Sequence, residues 1–217
     1  MHDGVCLYSM THTRLTALDP LLGPATAGHT DPRRAVPFLL DQAGARAGEQ
    51  DFRGYSVDWW ALTPPNEFHL ADGLAPLTVQ FPPTLQTVEM SAPKTPVALG
   101  APVPVVIRWQ RIPGGAVTRP LKARVALYSA SGERVAQADE RLLNDRHLLP
   151  AEWTEQDRPL NVYLLRTDPN WPPGEYAIGL LVYDADTLEP LGAVDASGAA
   201  SGVEVTLAQI TLSAAQP

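Results

Sequence analysis

Cysteine, lysine and long apolar runs are all scarce in this chain. Cys6 is the single cysteine among 217 residues, so no internal disulfide can form. A chain of this length can build a core without such a staple, so the compartment stays open on this ground. Lysine occurs only at Lys94 and Lys122, arginine is scattered, and the formal net charge is −8. Phosphate contacts dominate nucleic-acid affinity and call for a basic face, so no nucleic-acid partner is expected. The lone basic pair, Arg33-Arg34, fits a solvated helix start better than a patch. Attraction to an anionic membrane surface is disfavoured for the same reason. No stretch reaches the roughly 18 apolar residues of a membrane helix, so direct membrane insertion by this chain is not expected. Met1 to Leu7 shows neither a basic n-region nor a long apolar h-region and reads as no signal peptide.

Catalytic and cofactor motifs are missing as well. There is no Gly-x-Ser-x-Gly elbow, no paired Cys-x-x-Cys and no glycine-rich phosphate loop. No catalytic residue, metal or cofactor is therefore expected.

What the chain does have is apolar residues at 45% and 22 prolines. That proline load is roughly twice the usual share of about 5%. Proline cannot donate to a ladder or sit inside a helix, which suits many short strands joined by ordered loops. Gly4 to Met10 reads as a short strand. Asp31-Pro32 is a helix-start signal, and Val36, Leu39, Leu40 and Ala43 follow at helical spacing. The helix is predicted over Arg33 to Gly48, and a strand over Tyr55 to Leu62. Residues 1–63 thus read as a small β-α-β fragment.

After Leu62 the period changes. Pro64-Pro65, Asn66 and Asp72-Gly73 mark a linker, and residues 74–217 read as an antiparallel β-sandwich. Strands are predicted at 76–81, 84–91, 103–111, 121–128, 134–142, 161–166, 175–183, 189–194 and 203–212. Alternation is clear in Leu121 to Tyr128 and in Val203 to Ile210. Ser129 to Glu133 and Asp184 to Thr187 read as hairpin turns, and Asp195 to Gly202 as a small flexible loop. The predicted fold class is mainly β.

Several constellations carry possible chemistry. Ser9, His12 and Asp19 could form a hydrolase triad, but a polar loop accounts for them without an oxyanion hole. His2, Cys6 and His12 match no zinc spacing, and a small buried Cys6 is the simpler account. Asp139 and Glu140 are adjacent, so on a strand they point to opposite faces, and Asp145 completes no glycosidase pair with them. Asp184, Asp186 and Glu189 could hold calcium, though a plain hairpin turn explains them. Of Trp59, Trp60, Trp109, Trp153 and Trp171, the first four read as structural. Trp171, between Asn170 and Pro172-Pro173, is the one ligand-binding candidate, a platform for a sugar ring.

A set of segments then resembles a known arrangement. It runs Ile107 to Gln110, Leu121 to Tyr128, Ser131 to Asp139, Trp153, Trp171 to Tyr176, Gly179 to Asp184 and Leu191. The set is similar to the C-terminal β-sandwich of bacterial membrane glycosyltransferases of the dolichyl-phosphate-mannose-protein mannosyltransferase type. Its marks are a Trp-ending strand, a Gly-x-x-Val-Ala-Gln-x-Asp hairpin and a Pro-Pro-Gly-x-Tyr hairpin. The resemblance spans about residues 100–213 and extends to the strand, Asp-Pro and helix that precede them. It departs between Asp139 and Trp153, and the membrane domain with its catalytic acidic loop has no counterpart here. What it implies is an extracytoplasmic, non-catalytic module whose partner is a glycan or a neighbouring protein. The alternative is a free-standing structural or interaction subunit of a larger assembly.

Overall fold

The computed structural model describes residues 6–11, 35–52, 55–63, 70, 72–144, 146 and 148–214. The chain divides into two compact units, Met1–Gly73 and Leu74–Pro217.

The first unit holds β1 (Cys6–Thr11), α1 (Ala35–Ala43), β2 (Gly44–Phe52) and β3 (Tyr55–Leu62). The strands form an antiparallel sheet in the order β1-β3-β2. The helix is shorter than the apolar spacing predicts: it stops at Ala43, and Gly44 to Phe52 pair with β3 instead. Two glycines, Gly44 and Gly48, weaken helix over this stretch. A bulge between Arg46 and Gly48 then brings Gly48 against the Trp59 ring, where any side chain would collide. The fragment is therefore β-α-β-β, with one more strand than expected. Leu40, Trp60 and Leu62 make its buried cluster, with Ala43 packed beside them. The Trp60 indole N–H donates to Asp41 Oδ1 at 2.7 Å, which ties α1 to β3.

The second unit is a β-sandwich. One sheet runs β10 (Arg134–Arg141), β9 (Leu121–Tyr128), β12 (Gly174–Asp184), β15 (Glu204–Ser213), β7 (Val97–Ala98). The other runs β11 (Leu160–Leu165), β8 (Val103–Arg111), β6 (Leu85–Ser91), β5 (Val79–Phe81), β13 (Ala193–Asp195), β14 (Ala200–Gly202), with β4 (Ala75–Pro76) also on β6. Neighbours are antiparallel except β15 and β7, which run parallel. Alternation decides which side chains meet between the sheets. Val103, Val105, Ile107 and Trp109 of β8 are fully buried, as period 2 predicts. They share one core with Val125 and Leu127 of β9, Ile178 and Leu180 of β12, and Ile210 and Leu212 of β15. Trp109 lies against Phe81 with ring centroids 6.2 Å apart.

The segment Asp195 to Gly202 is a hairpin joining β13 to β14 rather than a flexible loop. Asp195 Oδ1 accepts the backbone N–H groups of Ser197 and Ala199 at 2.8 and 3.0 Å, an Asx turn that closes it. The Ser197 hydroxyl and these amides hold the Asp195 carboxyl below its usual range.

Candidate functional site

Outward-facing residues of the five-stranded sheet form an open trough. On β9 they are Lys122, Arg124, Ala126 and Tyr128, while Ala123, Val125 and Leu127 face the core. Tyr128 pairs with Ala177 and Ala126 with Gly179 on β12. Ala177 in turn pairs with Gln209 and Gly179 with Thr206 on β15. The middle strand thus contributes almost no side chain, and both flanking strands contribute large ones. The result is a cleft of about 470 Å³ with Tyr128 and Ser129 on one wall, Glu204, Thr206 and Gln209 on the other, and Glu175 beside the floor.

Gly179 fixes this shape. A Cβ there would stand 2.8 Å from Tyr128 Cε2 and 2.9 Å from Glu204 Oε1. Both side chains therefore overhang the glycine, and any larger residue must displace them. The Tyr128 hydroxyl donates to Glu204 Oε1, and Arg124 Nη2 donates to Glu204 Oε2 at 3.2 Å. Glu204 is held from two sides before any ligand arrives. Burial and then the Glu204 carboxylate raise the Tyr128 phenol above its ordinary value, so it is a neutral donor at physiological pH. Glu175 is exposed and accepts from Thr211 Oγ1 at 2.6 Å. The lining thus offers an aromatic ring, an amide, hydroxyls and two carboxylates, a set suited to binding a polyol.

The residues singled out from the sequence lie elsewhere. Trp171 is half-buried at the loop before β12, packed against the core, with its ring stacked on Tyr176 at 6.2 Å and 22°. Tyr176 is buried, and its hydroxyl donates to the Pro172 carbonyl at 2.7 Å. Trp153 is buried too, and its indole N–H donates to Leu148 O at 2.8 Å. Asp139 accepts from Tyr183 at 3.0 Å and from Gln137 at 2.9 Å. Burial, followed by Asp139, pushes the Tyr183 phenol up to about 12. Asp184 is buried and staples its turn, accepting from the Asp186 and Thr187 amides at 2.8 and 3.2 Å and from Arg119 at 3.2 Å. Those amides, then Arg119, hold its carboxyl below the usual range. Asp186 and Glu189 are exposed beside it. His2, His12, Asp19 and Asp145 lie outside the described residues, as do the side chains of Cys6 and Ser9. Among the described residues no group of three or more His, Cys, Asp or Glu could hold a metal ion. No helix among them is long and apolar enough to cross a membrane.

Tyr128, Gly179 and Glu204 were not singled out by the sequence. Tyr128 reads only as the last outward residue of an alternating strand. The small residues Ala126, Ala177 and Gly179 gain meaning once the register of β9 and β12 places them side by side.

No family model matches the chain, and no curated protein matches it. Among solved structures, it is similar to the CARDB domain of a Pyrococcus furiosus protein, determined in complex with di-metal ions. The two are 14% identical over 67% of this chain and 94% of that one, with a TM-score of 0.34.

Proposed function

We propose that this chain is a non-catalytic glycan-recognition module that works outside the cytoplasm, as part of or derived from a membrane glycosyltransferase. The observation that carries the recognition role is the trough on the solvent face of the five-stranded sheet. Its walls are held by internal hydrogen bonds, so little ordering is left to pay on binding. Sugars present apolar C–H faces and many hydroxyls, which match one half-buried aromatic ring flanked by carboxylates, an amide and hydroxyls. Both oxygens of Glu204 already have partners, which suits a fixed acceptor better than a proton-shuttling acid. The compartment and the glycosyltransferase association rest on the resemblance carried by Ile107 to Leu191.

The test is a glycan array probed with the full chain, followed by calorimetry on the best binder. Tyr128→Ala should weaken that binding roughly tenfold or more, as loss of an aromatic anchor does. Trp171→Ala should change it little, because one face of that ring is already stacked on Tyr176. Absence of binding to every glycan would remove the proposal.

A second function, docking of a neighbouring protein, is favoured by one specific feature. Leu188 is 69% exposed at the tip of the β12–β13 connection and has φ of 63°. A leucine in the left-handed region costs about 1–2 kcal/mol that glycine or asparagine would avoid. An apolar knob kept at that cost fits a contact made to something outside this chain.

A further inference from the structure

We infer that the trough selects glycans free of acidic groups and favours those bearing an amino group. This rests on the glycan proposal above and names the ligand class of the same site. None of the residues lining the cleft is a cation, while two of them, Glu175 and Glu204, are carboxylates. Two guanidiniums act on the Tyr128 phenol, and one of them, Arg124, is engaged with Glu204 at 3.2 Å. Arg134 pairs with Tyr128 across the β9–β10 ladder but is exposed and outside the lining. Among the described residues Glu175 has no ion-pair partner; its contact is the neutral Thr211 hydroxyl. The site therefore holds an excess of acceptors. A ligand that donates hydrogen bonds satisfies them, and a uronic or phosphorylated sugar sets like charge against like. An ammonium on the ligand gains a partner in Glu175. That pair is exposed, so its contribution is modest and falls with salt.

The experiment is calorimetry on the full chain with three probes of matched length: a cello-oligosaccharide, a chitosan oligosaccharide and an oligogalacturonate. The chitosan oligomer should bind about two- to fivefold tighter than the neutral one at low salt. Glu175→Gln should erase that preference, so that the variant binds the chitosan and cello-oligosaccharides with equal affinity. The oligogalacturonate should bind at least tenfold more weakly than the neutral glycan. Equal or tighter binding of the acidic oligomer would overturn the selectivity, and so would a chitosan preference that survives Glu175→Gln. In either case the glycan proposal itself would stand. Failure of all three oligomers to bind would overturn the selectivity, and the recognition role falls with it if no glycan on the array binds either.

Discussion

Among the described residues, the buried clusters of the two units differ widely in size. The first sets a nine-residue helix beside a three-stranded sheet, and its described buried cluster is Leu40, Trp60 and Leu62. The second interleaves both sheets around one continuous core that draws on β5, β6, β8, β9, β11, β12 and β15. Ordering a residue costs about 1–2 kcal/mol of backbone entropy, and among the described residues the second unit has far more buried side chains to offset it. A sandwich of about 140 residues can bury enough to do so. The proposed binding trough needs rigid walls, and it lies in the unit with the deep core.

The largest effect should come from separating the units. Residues 74–217 alone should be soluble and unfold in one cooperative transition by circular dichroism. An insoluble or molten 74–217 fragment would break the comparison. Within the full chain, Trp109→Ala should cost about 3–5 kcal/mol, read by urea denaturation, because it empties the centre of the large core. An unchanged midpoint would contradict that placement.

Alkaline pH sharpens the comparison further. The phenols of Tyr128, Tyr163 and Tyr183, all in the second unit, are raised in the folded state, chiefly by burial. A raised phenol contributes stability that is fully present below its unfolded value of about 10 and is lost as pH rises towards the folded value. For Tyr183 that window runs from about 10 to about 12. Both the full chain and residues 74–217 should therefore lose melting temperature above about pH 10. Absorbance at the phenolate band should show late-ionising tyrosines; release of every tyrosine near pH 10 would contradict this. The smallest effect belongs to the turn. Leu188→Asn should raise stability by about 1 kcal/mol, since asparagine tolerates the left-handed region and the leucine is mostly exposed. A lower melting temperature in that variant would mean that Leu188 packs more than its exposure indicates.

Legibility in the sequence followed the same divide. β8, β9 and β3 have the bounds that alternation and flanking turns predict, because each buries one face and ends at proline, glycine or serine turns. β2 was illegible because its residues are largely exposed and carry no apolar period. β4 and β7, two residues each, are too short for any period to show. The β13–β14 hairpin rests on the Asp195 carboxylate, and the Asp-Ala-Ser-Gly run was its available signal. The trough was hidden for another reason. Trp171 reads as a large ring among prolines, and in space it stacks on Tyr176. The trough depends instead on what is absent, the side chain of Gly179, and on registers that join β9, β12 and β15.

The most direct test of the recognition role is a backbone-amide NMR titration of the full chain with the tightest-binding glycan from the array. The account predicts shifts concentrated on Tyr128, Ser129, Ala177, Gly179, Thr206 and Gln209, with the loop around Trp171 unmoved. Shifts confined to the Trp171 loop, or to the turn at Leu188, would contradict it.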